Sequence, residues 1–278
     1  WFLEALRTHR QALGEGDPKE ALILSLVGNI CVQQGRLEEA LRMIKLALRM
    51  YGSAGEEGEE VAQTLMMLGS VFYVQGLYDR AMKKYEKAYE MYRRLYREDH
   101  PGVVRVLSQM AVVLKNQGRR AESLEMQEKV LGIRRRTLGS DHDNVASSLT
   151  NLGTWYWEEG MLAEALAKYE EALLIVRRNH PERNVLEGRI LANIGRIYKQ
   201  QGQLEEAVGM MKKALRIFRR TVGTDSTDAG LMRNYLADVY IGLQKVDEAM
   251  EMWEEELQIV RRLKGDEHED VAGMLAKL

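Results

Sequence analysis

Asn151 and Asn193 stand 42 residues apart. An asparagine amide can donate to a peptide carbonyl while accepting from the next peptide N–H, so two of them at equivalent sites can hold an extended backbone. Around them lie polar and cationic residues at helical spacing: Arg105, Gln109, Lys115 and Asn116, then Ser147, Thr154 and Trp157, then Arg189, Arg196, Lys199 and Gln200. The cations among them favour acidic side chains, and Trp157 and Tyr73 offer apolar or stacking contacts. The competing reading is the solvated polar face that any amphipathic helix carries.

Other chemistry is poorly supported. No nucleophile constellation, phosphate loop or paired-carboxylate site stands out, and glutamates such as Glu38-Glu39, Glu170-Glu171 and Glu205-Glu206 read as solvated helix faces. We expect no enzyme, no cofactor and no metal in this segment; catalysis would belong to a domain outside it. His100, His142 and His268 share a register but fall in different repeats, so they cannot meet on one ion, and a loop-stabilising role is expected. Cys31, the single cysteine, excludes an internal disulfide framework and is expected to be buried and inert.

Forty basic residues against forty-two acidic ones leave a net charge of −2, which gives no bulk preference for nucleic acid or anionic membrane. No apolar run approaches the roughly 20 residues needed to cross a bilayer. The expected partner is a protein or peptide, or another domain of the same parent chain, in an intracellular and reducing compartment such as the cytoplasm. The chain begins at Trp1 rather than methionine, so missing targeting signals say little about the parent protein.

The elements that would position these residues announce themselves by repetition. Gly35/Ala40, Gly76/Ala81, Gly118/Ser123, Gly160/Ala165, Gly202/Ala207 and Gln244/Ala249 recur at spacings of 41, 42, 42, 42 and 42. A fixed period of this size marks a solenoid whose units bury their apolar faces only against neighbours. Before each turn residue, positions −11, −8 and −4 are almost always apolar, as in Leu149, Leu152 and Tyr156, which is one stripe of a helix. Position −7 is always small: Gly28, Gly69, Ala111, Gly153, Gly195, Ala237. Mid-helix glycine costs about 1 kcal/mol relative to alanine, so its recurrence argues for close approach by a second helix. That helix carries the small residue at +5, a bulky one at +9 such as Tyr85, Tyr169 or Trp253, and Ala/Leu-like pairs at +12 and +13. Asn144, Asp228 and Asp270 are the expected N-caps of the first helices.

This small-Gly-Ala signature resembles the tetratricopeptide repeat (TPR) pattern, in a 42-residue form similar to the kinesin light chain variant. The stretch Thr137-Leu138-Gly139-Ser140-Asp141-His142-Asp143-Asn144-Val145-Ala146, leading into Leu149-Thr150-Asn151-Leu152-Gly153, resembles that family's inter-repeat signature. The resemblance implies an all-α fold, a right-handed superhelical solenoid of antiparallel helix hairpins, with first helices lining a concave groove. The resemblance also implies that asparagines at the register of Asn151 and Asn193 grip cargo peptides.

We read one domain over 1–278: a half-repeat at 1–18, six repeats at 19–60, 61–102, 103–144, 145–186, 187–228 and 229–270, and the start of another at 271–278. The expected source is a longer array. The sixth repeat departs from the pattern with Gln244 at the turn, Arg233 in the apolar stripe and Glu256 at the small position, which suggests looser packing there. The first inter-repeat loop, around Gly52 and Gly55, is glycine-rich and lacks the Asp-His element, which suggests the same near the other end. The groove should be polar and cationic in the third to fifth repeats and greasier elsewhere, at Leu22, Leu26, Met67, Val74, Leu231 and Tyr235. The function expected is a scaffold or adaptor binding an extended acidic or acidic-hydrophobic peptide in that groove. The alternative is a structural spacer held by its convex face and by Arg93-Arg94, Arg135-Arg136, Arg177-Arg178, Arg219-Arg220 and Arg261-Arg262, or polyanion binding by that arginine ridge. Those arginines also suit the negative ends of their helices and pairing with Asp99, Asp141, Asp225 and Asp266.

Overall fold

Apolar residues three and four apart, many Glu, Lys and Arg, and only three prolines make helix the favoured local structure. The computed structural model describes residues 18–55, 57–182 and 184–277, and among them helix is the only regular element. In chain order the helices are α1 (Pro18–Gln33), α2 (Leu37–Ser53), α3 (Glu59–Val74), α4 (Tyr78–Leu95), α5 (Pro101–Asn116), α6 (Arg120–Leu138), α7 (Asp143–Glu158), α8 (Leu162–Asn179), α9 (Val185–Gln200), α10 (Leu204–Thr221), α11 (Thr227–Gly242), α12 (Val246–Lys264) and α13 (Glu269–Leu275). The half-repeat expected over 1–18 lies outside the described residues, apart from Pro18 at the start of α1. The described residues fall into two compact units, one ending at Thr137 and the other beginning at Leu138.

Each hairpin turns through three residues, which leaves its two helices antiparallel. The turn is the same device every time. At Gly160, φ is +77°, and the Met161 N–H bonds back to the Tyr156 carbonyl at 2.9 Å, capping the orphan carbonyls of α7. Gln244 adopts the same left-handed conformation with φ +59°, and the Lys245 N–H reaches the Tyr240 carbonyl at 2.9 Å. A side chain there costs about 1–2 kcal/mol, whereas glycine adopts it freely. Gln244→Gly is therefore expected to stabilise the chain by about 1 kcal/mol, read as a raised urea midpoint with unchanged slope.

Within a hairpin the bulky +9 residue fills the space over the −7 glycine. A Cβ added to Gly69 would lie 2.6 Å from the Tyr85 ring, one on Gly153 2.8 Å from Tyr169, and one on Gly28 2.6 Å from Ile44. Close approach was legible in sequence, and the structure adds that a large side chain occupies it. Tyr85 and Tyr169 are fully buried and end on hydroxyls of the facing helix, Ser70 at 3.0 Å and Thr154 at 2.9 Å. Burial pushes the Tyr169 phenol up to about 12, so it stays a neutral donor. Cys31 is buried in the core of the first unit, as expected.

One expectation needs correction. Asn144, Asp228 and Asp270 do not cap the first helices; the caps sit two residues earlier, at His142, Ser226 and His268. In His100, His142 and His268, Nδ1 accepts a helix N–H from Gly102 at 3.1 Å, Asn144 at 3.0 Å and Asp270 at 3.2 Å. The shared histidine register thus serves to satisfy the orphan donors of a helix start. Asp143, the first residue of α7, instead receives Asn179 at the end of α8 and His180 just beyond it, and those hydrogen bonds hold its carboxyl below the usual range.

The departures of the sixth repeat at Arg233 and Glu256 answer one another. Positions −11 and +12 carry Leu and Ala or Val in the five other repeats, and in the sixth they carry a matched ion pair. Arg233 is completely buried; its Nη2 lies 2.6 Å from Glu256 Oε2 and donates to the Thr224 carbonyl at 3.0 Å. Glu255 extends the network, accepting twice from Arg219 at 2.6 Å and lying 3.5 Å from Arg233 Nη1. Gly230 makes the room, since a Cβ there would meet Glu256 Oε1 at 2.5 Å.

Candidate functional site

Because −11, −8, −7 and −4 face the hairpin partner, positions −13, −9 and −2 of each first helix are left on the far side, with −6 at its border, half-buried in every repeat but the sixth. In the second unit this stripe holds Ser147, Asn151, Thr154 and Glu158 on α7, Arg189, Asn193, Arg196 and Gln200 on α9, and Leu231, Tyr235 and Asp238 on α11. Asn151, Arg189 and Gln200 are exposed, while Asn193 and Arg196 are half-buried. Among the described residues the side-chain amides of Asn151 and Asn193 have no hydrogen-bond partner, so their full donor and acceptor capacity is open.

Arg196 is held flat. Its guanidinium carbon lies 4.0 Å from the Trp157 ring centroid on α7 and 5.5 Å from that of Tyr235 on α11, a cation–π stack across three consecutive repeats. Stacking occupies the faces of the guanidinium and leaves its donor edge for a carboxylate. Arg189 and Lys199 are partly neutralised by α11, pairing with Asp228 at 3.1 Å and Asp238 at 3.6 Å. Thr154 is committed to packing: it donates to the Thr150 carbonyl at 3.0 Å and takes the Tyr169 hydroxyl.

In the first unit Arg105 is exposed and Gln109 half-buried on α5. Asn116 spends its amide protons on the Tyr73 hydroxyl at 3.1 Å and the Val112 carbonyl at 2.8 Å, so it braces α5 against α3. Lys115 is exposed beside it. On α1 and α3 the same face is apolar, with Leu22, Leu26 and Val74 exposed. The sequence marks Tyr235 only as a greasy position and Asp228 only as an expected N-cap, and it does not single out Asp238; each lies on the neighbouring first helix, a separation that periodicity does not translate into contact.

The recurrent arginines are largely matched. At +18, Arg94, Arg178 and Arg262 pair with Glu57, Asp141 and Asp225 at 3.4, 2.6 and 2.5 Å, each exactly 37 residues away. At +17, Arg177 pairs with Glu187, Arg219 with Glu255 and Arg261 with Asp266. Asp99 makes no such pair among the described residues. Those residues also contain no cluster of three His, Cys, Asp or Glu able to hold a metal, and no helix long and apolar enough to cross a membrane.

Sequence models of the tetratricopeptide repeat match residues 60–120, 102–178, 158–220 and 184–245, and a second such model matches 231–270. Protein KINESIN LIGHT CHAIN-RELATED 1 of Arabidopsis thaliana is 29% identical over 108 residues, 39% of this chain and 18% of the plant protein. The Clustered mitochondria protein homolog of Xenopus tropicalis is 30% identical over 86 residues, 31% of this chain and 7% of the frog protein. The chain thus spans a small part of either relative. Among solved structures, BtubC (BKLC) from P. vanneervenii superposes with a TM-score of 0.73 at 19% identity, covering 82% of this chain and 92% of that one. The TPR-like repeats of a kinesin light chain-like protein from Podosopora anserina superpose at 0.62 with 21% identity, over 75% of this chain and 99% of that one. These structures establish a shared fold, and the repeat models cover most of the sequence: the chain belongs to the tetratricopeptide repeat family, with kinesin light chain-like arrays among its structural neighbours.

Proposed function

We propose that this chain acts as a protein-interaction scaffold that holds an extended, acidic or acidic-hydrophobic peptide against the first-helix face of its second unit. The observation that carries this reading is the pair of unpartnered amides, Asn151 and Asn193, at equivalent positions of consecutive repeats beside a stacked Arg196. Packed helices lie about 8–10 Å apart, and an extended peptide rises about 3.3 Å per residue, so roughly three residues cross each repeat. Each asparagine can then take one backbone amide unit, and the Arg196 edge takes a carboxylate between them. The rigid repeats leave most of the ordering cost with the ligand. Protein interaction is the general role of TPR arrays, which agrees with the reading; the match of most recurrent arginines to acids weighs against a free polyanion ridge.

Selection from a library of disordered protein segments, repeated on Asn151→Ala/Asn193→Ala with folding checked by circular dichroism, tests the proposal. Losing about 1 kcal/mol of net backbone hydrogen bonding at each of the two asparagines is expected to weaken selected peptides by about 30-fold in fluorescence anisotropy. Peptides that bind both proteins equally would remove the asparagines from the site.

A further inference from the structure

The second helix α10 breaks the charge matching seen elsewhere in its unit. Its acids, Glu205 and Glu206, lie in the first turn, and the following residues to Thr221 include five cations and no acid. By contrast α8 carries Glu170 and Glu171, and α12 carries Glu251, Glu254, Glu255 and Glu256, beyond their first turns. The register explains part of the imbalance. Glu57, Asp141 and Asp225 stand 37 residues before the +18 arginines they pair with, whereas the sequence has Arg183 at that distance before Arg220, so Arg220 has no acid at the matching sequence position. Lys212, Arg216 and Arg220 are all exposed and make no ion pair among the described residues.

These three cations line one cleft between α10, α11 and α12, above Leu215, Leu236 and Met252. Arg219 lies in the same cleft but is held by both oxygens of Glu255. Lys212 leans over the Tyr240 ring at 5.4 Å. Lys212, Arg216 and Arg220 follow an i, i+4, i+8 row, which sets them about 6 Å apart along the helix at 1.5 Å per residue. Alternate residues of an extended chain are about 6.6 Å apart on one side, with the intervening side chains turned to the other.

We propose that this cleft is a second docking site, separate from the first-helix face, for an extended protein segment with acidic residues at alternate positions and apolar residues between them. The acids meet the cationic row, and the apolar residues meet half-buried Met252 and the aliphatic stems of the row above the buried Leu215 and Leu236. A nucleic acid strand fits less well. Its bases need stacking partners, and the cleft offers no exposed aromatic platform, since Tyr240 is buried. The inference does not depend on the role assigned to Asn151 and Asn193.

The test uses the whole chain and a fluorescent eight-residue peptide alternating glutamate and valine. The peptide is expected to bind with an affinity that falls as salt rises, and its glutamine–valine counterpart is expected not to bind. Lys212→Gln/Arg216→Gln/Arg220→Gln should weaken binding by about tenfold, three surface pairs at a few tenths of a kcal/mol each. Arg216→Lys/Arg220→Lys and Asn151→Ala/Asn193→Ala should both retain it. Equal binding by the triple variant, or loss in the asparagine variant, would overturn the proposal. So would displacement of the peptide by oligothymidine or phosphatidylserine vesicles of equal charge concentration.

Discussion

Arg233→Leu is expected to destabilise the chain by about 3–5 kcal/mol, although leucine stands at that position in the five other repeats. Arg233 is fully buried, and Glu256 is largely buried against it at 2.6 Å. Without the guanidinium, the Glu256 carboxylate must stay charged in a poorly solvated site or take up a proton, and both cost free energy. Glu255 also loses a neighbour at 3.5 Å. Arg233→Leu/Glu256→Ala restores the pairing used elsewhere and is expected to recover the loss, ending level with the parent or up to a few kcal/mol above it. Urea unfolding of the parent, both single variants and the double variant measures the coupling directly. Additive losses in the double variant would show that the two residues do not act as a pair.

Gly69→Ala and Gly209→Ala should move stability in opposite directions. Both glycines lie inside helices, where alanine is intrinsically better by about 0.5–1 kcal/mol. Gly209 is exposed on α10, and a Cβ there meets nothing within 4 Å, so the intrinsic gain should appear in full. Gly69 faces Tyr85, with three ring atoms within 2.9 Å of an added Cβ. Tyr85 is fully buried and tied to Ser70, so it cannot swing away cheaply, and a net loss of about 1–3 kcal/mol is expected. Adding Tyr85→Leu to Gly69→Ala should return part of it. Thermal melts of the two alanine variants decide the sign, and a stabilised Gly69→Ala protein would contradict the packing described for the −7 and +9 positions.

Residues that obey local rules were the legible ones. The turn glycines, the buried −11, −8 and −4 stripe and the small −7 position follow from helix periodicity and the left-handed turn, so spacing alone located them. Two of the three helix caps were misplaced because histidine is an uncommon cap, which the Nδ1 geometry at His142 and His268 reveals; the third sits on Ser226, where Asp228 two residues on offered an equally good cap type. Of the candidate site, the exposed stripe carrying Asn151, Arg189 and Gln200 could be placed on its helix face from the repeat. Its internal bonding could not. Asn116 is used up by Tyr73 from 43 residues away, and Thr154 by Tyr169 from 15 away.

The sequence by itself determined the repeat, its helices, their buried faces and the family, because a 42-residue period and a 3.6-residue helix are properties of neighbouring positions along one chain. Tertiary structure decided which side chains meet. Arg233 finds Glu256 across 23 residues, the +18 arginines find acids 37 residues back, and Arg196 is stacked between Trp157 and Tyr235 from the repeats on either side. Those contacts depend on how far one helix is displaced and rotated against the next. Interlocking side-chain volumes at the helix interface set that displacement, and a single repeat does not contain it.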